Sequence, residues 1–189
     1  MGTLTELAKT RLAPVLGEGA LAVDATAGNG HDCLFLAGAV GESGHVWACD
    51  IQQAALDTTA QRLADASLRH RVTLVRDCHE RLTHWLPRRA HERLSAVMFN
   101  LGYLPGGDHS LVTTAGGTVA ALSQAASLLA LGGKLSVLVY RGHPQAMEEY
   151  HRVLDWCRES PLALDVERFD GAGDPHGTSP VLLIASLRQ

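Results

Sequence analysis

A glycine-containing turn is the first part of the sequence whose residue types suggest ligand chemistry. It reads DATAGNG over residues 24–30, directly after the apolar residues 21–23. Glycines let the backbone approach a ligand closely, and the first turn of a following helix offers unpaired N–H groups. No Gly-Lys-Ser/Thr sequence follows, so the turn is not a P-loop, and Cys33 stands where a GxGxxG dinucleotide motif has its third glycine. The turn therefore indicates a nucleoside-type ligand and disfavours a nicotinamide-dependent oxidoreductase.

An acidic residue at the next strand end strengthens this interpretation. Asp50 ends the second predicted strand, 20 residues after Gly30. A carboxylate there accepts hydrogen bonds from both ribose hydroxyls, because it offers several acceptor sites and no donor. The glycine turn and Asp50 together predict S-adenosylmethionine as ligand, because this cofactor has a ribose and no diphosphate. The alternative is an ordinary turn beside a solvated aspartate. After the third predicted strand, Cys78 and His79 are placed to reach an adenine ring, although Asp77 could equally cap a helix that begins there.

A second irregular loop is expected to hold the acceptor of the reaction. It reads NLGYLPGGDH over residues 100–109 and leaves the fourth predicted strand. Asn100 can present a side-chain carbonyl to an N–H donor, and Tyr103 can supply a stacking face. An asparagine followed by an aromatic residue is similar to the NPPY-type motif of amino-group methyltransferases, with leucine and glycine in place of the two prolines. The alternative is a turn with a buried tyrosine.

Three residues are candidates to accept a proton from an amine in this site. They are Asp108 and His109 on the same loop and His143 after the fifth predicted strand. Methyl transfer mainly requires alignment of donor and acceptor and the loss of one proton. If the amine binds in its neutral form, no general base is required, and the sequence leaves both possibilities open.

The elements that must position these loops alternate along the chain. Apolar patterns predict strands at residues 21–23, 45–49, 72–76, 94–99, 134–140, 163–169 and 181–187. They predict helices at residues 3–12, 31–40, 53–66, 117–130 and 145–158, the fourth of them capped at its C-terminus by Gly132 and Gly133. We therefore expect an α/β fold: a seven-stranded, mostly parallel sheet with helices on both faces, an antiparallel hairpin at one edge, and one domain over residues 1–189.

Composition and charge limit the remaining classes of protein. The chain has 189 residues, of which 46% are hydrophobic, and a formal net charge of −4. Its apolar runs are far too short to span a bilayer, and we expect a cytoplasmic protein in which four scattered cysteines pack as small hydrophobic residues. A net negative charge argues against a broad nucleic-acid footprint. Residues 62–93, however, contain eight arginines and only four acidic residues. This local excess of positive charge indicates either a local RNA contact or a solvated helix surface.

Three segments together resemble a known family. They are DATAGNGHD at residues 24–32, DIQ at residues 50–52 and FNLGYLPGGD at residues 99–108. They resemble the bacterial family described as "putative rRNA methylases", and the resemblance extends from about residue 12 to residue 187. It implies the Rossmann-like fold of class I S-adenosylmethionine-dependent methyltransferases. Characterised members are similar to enzymes that methylate the amine of 5-aminomethyl-2-thiouridine at the tRNA wobble position.

The resemblance also implies which residues form the site. Those implied at the cofactor are Asp24, Gly28, Asn29, Gly30, Asp32, Asp50, Gln52, Cys78, His79 and Asn100. Those implied at the reacting groups are Asn100, Tyr103, Asp108 and His143. The sequence departs from the family pattern at residues 177–180, which read GTSP where an Asn-Pro-Pro stretch is common and which belong to the substrate side of the site.

A tRNA anticodon loop is the partner that the resemblance implies. A wobble base already lies in an exposed loop, so little unstacking is needed to present it. Tyr103, Arg88, Arg89 and Arg141 are the candidate contacts to this substrate, and a homodimer would enlarge the surface that grips it. The alternatives are a methyltransferase for rRNA or for a small-molecule amine, and a non-catalytic nucleotide- or RNA-binding module.

Overall fold

A seven-stranded sheet forms the centre of the computed structural model, which describes residues 3–102, 113–142, 146–171 and 178–188. The strands are β1 (Leu21–Asp24), β2 (His45–Cys49), β3 (Val72–Val75), β4 (Leu94–Leu101), β5 (Leu129–Val139), β6 (Leu164–Asp170) and β7 (Val181–Leu187). Their order across the sheet is β3-β2-β1-β4-β5-β7-β6. The first five are parallel, whereas β7 runs antiparallel to both of its neighbours. The predicted fold class is confirmed.

Six helices accompany these strands in the described part of the chain. They are α1 (Leu4–Leu12), α2 (His31–Ala39), α3 (Gln53–Asp65), α4 (Leu82–Trp85), α5 (Ala115–Leu128) and α6 (Ala146–Glu159). Short 3-10 turns lie at Ala13–Val15, Arg69–Arg71, His79–Arg81 and Arg88–Ala90. None of the helices among the described residues is long and apolar enough to cross a membrane.

The sheet has two apolar faces because successive residues of each strand point to opposite sides. On one face, Val23 and Val137 belong to a core shared with α4, α5 and α6. On the other face, Ala22 and Leu138 pack in a second core with α1, α2 and α3. This two-sided burial explains the nearly continuous apolar runs of β4 and β5.

The glycine pair at residues 132–133 has a different role from the predicted one. The helix α5 ends at Leu128, and β5 begins at Leu129, so both glycines lie within the strand. The register between β4 and β5 shifts here, because Leu94 pairs with Leu129 while Ala96 pairs with Lys134. Gly132 has a φ of 77°, and a side chain at Gly133 would lie 2.6 Å from the Leu94 carbonyl oxygen. The pair forms a bulge in the strand instead of a helix cap.

The strand order locates the ligand-binding edge of the sheet. Strand β1 lies between β2 and β4. The chain therefore continues from β1 toward β2 and β3 on one side, and then crosses back to β4 and β5 on the other side. Ligands of open α/β sheets bind beyond the carboxyl ends of the strands at such a point. The carboxyl ends of β1, β2 and β4, after which the predicted loops follow in the sequence, lie at this edge.

Gly30, at the start of α2, carries the clearest conformational constraint of that edge. Its φ is 78°, and an added Cβ would lie 2.9 Å from the Thr59 backbone in α3. Gly30→Ala is therefore expected to lower the free energy of unfolding by about 2–4 kcal/mol, through backbone strain and overpacking. Gly116→Ala, in the first turn of α5 with open space around its Cβ position, is the matched control and should leave stability equal or higher. Urea denaturation of both variants measures the free energy of unfolding. An equal loss in Gly30→Ala and Gly116→Ala would contradict the conformational constraint at Gly30.

Candidate cofactor and active site

A cavity of about 780 Å³ opens at the carboxyl edge of the parallel strands. Such a volume lies within the range of small-molecule sites and accommodates a nucleoside-sized ligand beside a second group. The cavity walls come from the loops after β1, β2, β3, β4 and β5 and from one side of α1. The residues used below are Thr5, Lys9, Thr26, Gly28, Asn29, Asp32, Asp50, Gln52, Cys78, His79, Asn100, Tyr140 and Arg141.

The loop between β1 and α2 is fixed by backbone bonds to both neighbouring strands. The Ala25 N–H donates to the Met98 carbonyl oxygen of β4 at 2.9 Å, and the Ala27 N–H donates to the Cys49 carbonyl oxygen of β2 at 2.9 Å. The Thr26 N–H donates to Asp24 Oδ1 at 3.1 Å. These bonds hold the glycine turn rigidly across the strands, so that it lines the cavity instead of projecting into solvent.

Asp50 joins this turn to the end of β2. Its Oδ2 accepts the Gly28 N–H at 3.0 Å, and its Oδ1 accepts the Gln52 N–H at 2.9 Å. Each carboxylate oxygen retains a second acceptor position. The group is therefore oriented by the protein and still able to accept from two ligand hydroxyls, which is the chemistry that a ribose requires.

Cys78 and His79 form a wall without charge. Burial raises the pKa of the Cys78 thiol, and burial lowers the pKa of His79, so near neutral pH both side chains are uncharged. The His79 ring meets the Phe99 ring edge-to-face at 6.1 Å. An uncharged wall of this kind suits the face of an adenine ring. Asp77 makes no helix-capping bond there: its Oδ1 accepts the N–H of the next residue, and the 3-10 turn His79–Arg81 has no side-chain cap.

Asp24 and Asp32 are the two buried carboxyl groups of the site. Burial, reinforced by the negative charges of Asp32 and Asp50, raises the pKa of Asp24 to about 8. Asp32 Oδ2 accepts a hydrogen bond from Asn100 Nδ2 at 2.6 Å, and the Asn100 N–H donates to Thr26 Oγ1 at 2.8 Å. The end of β4 is thereby joined to the β1–α2 loop through both the backbone and the side chain of Asn100.

The structure brings most of the predicted cofactor residues together. Eight of the ten line the cavity: Gly28, Asn29, Asp32, Asp50, Gln52, Cys78, His79 and Asn100. Asp24 does not line it, because its fully buried carboxyl group turns back to the Thr26 N–H. Gly30 does not line it either, since this glycine packs against Thr59 of α3.

The residues predicted to contact the substrate or to accept a proton fall into three groups: one that lines the cavity, a second outside the described residues, and a third remote from the cavity. Arg141 lines the cavity, where its Nε donates to the Ser179 carbonyl oxygen at 2.6 Å and its guanidinium lies 5.2 Å from the centre of the Tyr150 ring. Tyr103, Asp108, His109 and His143 lie outside the described residues.

Arg88 and Arg89 do not line the cavity. They form a 3-10 turn shortly before β4 and therefore lie near the amino ends of the strands. The Arg89 guanidinium lies 5.8 Å from the Trp47 ring in β2. These two of the eight arginines in residues 62–93 thus lie away from the cavity.

The helix α1 and the end of β5 supply residues that the sequence did not suggest. Thr5 and Lys9 of α1 and Tyr140 after β5 line the cavity, and Lys9 Nζ lies 3.9 Å from Asp32 Oδ1. Tyr140 is the last residue of the strand predicted at residues 134–140 and directly follows β5 in the structure, so the strand-end rule that identified Asp50 also applies to it. The position of α1 depends on packing against distant strands, and no local pattern indicates it.

Comparison with known proteins agrees with this geometry. In the solved structures, an rRNA methylase from Clostridium thermocellum is 36% identical with a TM-score of 0.91, covering 99% of this chain and 98% of that chain. A methyltransferase from Streptococcus mutans, solved in complex with SAH, is 28% identical with a TM-score of 0.85, covering 99% of each chain. The fold is that of class I S-adenosylmethionine-dependent methyltransferases.

The family is also defined by sequence. Residues 46–170 match the family model described as "Putative rRNA methylase", and the chain belongs to that family. A curated relative, the chloroplastic tRNA (mnm(5)s(2)U34)-methyltransferase of Arabidopsis thaliana, is 39% identical over 153 residues. That match includes 77% of this chain, and it spans about half (55%) of the relative's length.

The raised pKa of Asp24 predicts a pH dependence of stability. Its ordinary pKa is 3.8, so between about pH 4 and pH 8 the folded protein retains a proton that the unfolded chain releases, and stability falls as pH rises. Asp24→Asn removes this contribution while retaining an acceptor for the Thr26 N–H.

The stability advantage of Asp24→Asn over the wild type should therefore grow with pH, by up to about 1.4 kcal/mol per pH unit. Urea denaturation of both proteins at pH 5, 6, 7 and 8 measures the difference. Two curves that remain parallel across this range would contradict burial of a protonated Asp24.

Proposed function

We propose that this chain, as one domain, methylates an amine on the wobble uridine of tRNA with S-adenosylmethionine as methyl donor. The product would be 5-methylaminomethyl-2-thiouridine, formed from 5-aminomethyl-2-thiouridine. The observation that carries the proposal is one cavity lined by both a carboxylate suited to a ribose, Asp50, and an amide, Asn100, at the ends of β2 and β4 on either side of β1. The name of the 39% identical relative supports the choice of tRNA as substrate.

In this proposal, the walls of the cavity divide between the parts of the cofactor. Asp50 and Gln52 would hold the ribose, and Cys78 and His79 would contact the adenine. Gly28 and Asn29 would approach the cofactor with the backbone of the glycine turn. When bound, S-adenosylmethionine supplies a methyl group already activated by its sulfonium. The protein then has to align the acceptor, exclude water and accept one proton.

The acceptor side of the cavity is assigned by the same reasoning. The Asn100 carbonyl would accept a hydrogen bond from the substrate amine, which keeps the nitrogen lone pair free to face the methyl group. Tyr103 remains the proposed stacking surface for the uracil ring, and Asp108 and His143 remain the proposed proton acceptors. Thr178 on the cavity wall belongs to the GTSP segment, where this sequence departs from the family pattern.

Arg141 is the arginine best placed to contact a phosphate beside the acceptor nucleotide. It lies on the cavity wall, and its guanidinium is oriented by Ser179 and Tyr150. Arg88 and Arg89 lie near the amino ends of the strands, so a contact from them would fall on RNA remote from that nucleotide. The local arginine count therefore supports the substrate assignment less than the position of Arg141 does.

The proposed reaction is tested by methyl transfer from labelled S-adenosylmethionine to bulk tRNA that lacks the terminal methyl modification. We expect nucleoside mass analysis to detect 5-methylaminomethyl-2-thiouridine. Asn100→Ala is the matched control, in which turnover should fall while most cofactor affinity remains. Transfer to rRNA or to a free amine, with none to tRNA, would replace the proposed substrate. Cofactor binding without transfer to any of these acceptors would favour a non-catalytic module.

The ribose role of Asp50 predicts a specific loss of cofactor affinity. Asp50→Ala should weaken S-adenosylmethionine binding by roughly 1.5–3 kcal/mol, the range for losing a hydrogen bond to a charged group. Isothermal titration calorimetry measures the change. Asp57→Ala, in the same chain region but on the exposed side of α3 where it accepts from Gln53, is the control and should bind normally. Unchanged affinity in Asp50→Ala would refute the ribose role.

A further inference from the structure

The side chain of Asn100 is held in one orientation by a partner that can only accept hydrogen bonds. Its Nδ2 donates to Asp32 Oδ2 at 2.6 Å, and its backbone N–H donates to Thr26 Oγ1 at 2.8 Å. An ionised carboxylate has no proton to donate, so it bonds to the nitrogen end of an amide and not to the oxygen end. The planar amide then directs Oδ1 away from Asp32, on a residue that lines the cavity.

A lysine and an amide lie beside the Asp32 carboxyl group. Lys9 Nζ of α1 lies 3.9 Å from Asp32 Oδ1 and 3.1 Å from Glu6 Oε1, so the two carboxyl groups share this cation. Asp24, the nearest buried carboxyl group of the site, has a pKa raised by burial and is mostly protonated near neutral pH. A buried carboxylate is retained only with such a partner, since an isolated charge in the interior is costly.

We propose that Asp32 is a positioning residue that fixes the Asn100 carbonyl oxygen toward the acceptor and thereby selects an acceptor bearing an N–H group. The part concerning the acceptor rests on the proposed function, whereas the orientation of the amide does not. A primary amine can donate an N–H to this oxygen while its lone pair remains available. An acceptor atom without a hydrogen to donate gains nothing from the same arrangement.

The orientation can be measured without any substrate, because the sequence contains only two asparagines, Asn29 and Asn100. Selective ¹⁵N-asparagine labelling gives two pairs of side-chain amide signals, which Asn29→Gln assigns. We expect one Asn100 amide proton to be shifted downfield and protected from exchange by its bond to the carboxylate. Asp32→Ala should abolish both properties, while the Asn29 signals show whether the loop remains folded.

Kinetic measurements on variants of Asp32 and Asn100 test the part of the proposal that concerns the acceptor. Asp32→Ala removes the acceptor that fixes the Asn100 amide, so kcat should fall about 10- to 100-fold, the scale of a lost oriented hydrogen bond in a site. Affinity of this variant for S-adenosylhomocysteine, measured separately, should change much less than kcat. Asp32→Asn lets the two facing amides pair in either sense, so the productive orientation stays about half populated and kcat should fall only about twofold. Asn100→Asp alone places two carboxyl groups in contact. Adding Asp32→Asn restores a donor facing an acceptor, and the double variant should be at least about tenfold faster than Asn100→Asp alone.

Each result bears on a different part of the account. Asn100 amide signals that do not change in Asp32→Ala would overturn the inference, and so would a double variant no faster than Asn100→Asp. A wild-type protein with the protected amide signal but no transfer to tRNA would contradict the proposed function and leave the orientation of Asn100 established. The two failures are therefore distinguishable.

Discussion

The site depends on accommodating three carboxyl groups near the carboxyl ends of β1 and β2, one of them in the first turn of α2. Asp24, Asp32 and Asp50 lie close enough for the charges of the latter two to raise the pKa of Asp24. Each is stabilised differently: Asp24 by protonation, Asp32 by Lys9 and the Asn100 amide, and Asp50 by two backbone N–H groups. These separate solutions leave a neutral Asp24 outside the cavity lining and place Asp32 and Asp50 on the cavity wall.

This arrangement links the fold to the chemistry. Because β1 lies between β2 and β4, the loop that follows it can bond to the ends of both neighbours, and Asp50 and Asn100 are brought to opposite sides of one turn. In the proposed function, the cofactor side lies toward β2 and β3, and the acceptor side lies toward β4 and β5. The helix α1 closes the cavity from the other direction and supplies the counter-ion that a buried Asp32 requires.

The parts of the site that follow local rules were predictable from the sequence. Asp50 and Asn100 could be found because a polar residue after an apolar strand must lie at the binding edge. The position of Arg88 and Arg89 away from the cavity could not be predicted, because a count of charges along the chain carries no direction in space. Gly132 and Gly133 were misread because a glycine pair after a helical pattern is typical of a C-cap, and only the pairing with β4 reveals the bulge. Lys9 was missed because its contact with Asp32 is long-range.

A crystal structure of the protein with S-adenosylhomocysteine tests the central claim most directly, namely that one strand-end cavity holds the cofactor with Asn100 directed at the acceptor. The account predicts ribose hydroxyls hydrogen-bonded to Asp50, adenine against Cys78 and His79, and Asn100 Oδ1 facing the space beside the sulfur atom. A ligand bound elsewhere, or a cofactor in this cavity with Asp50 turned away from the ribose, would contradict it.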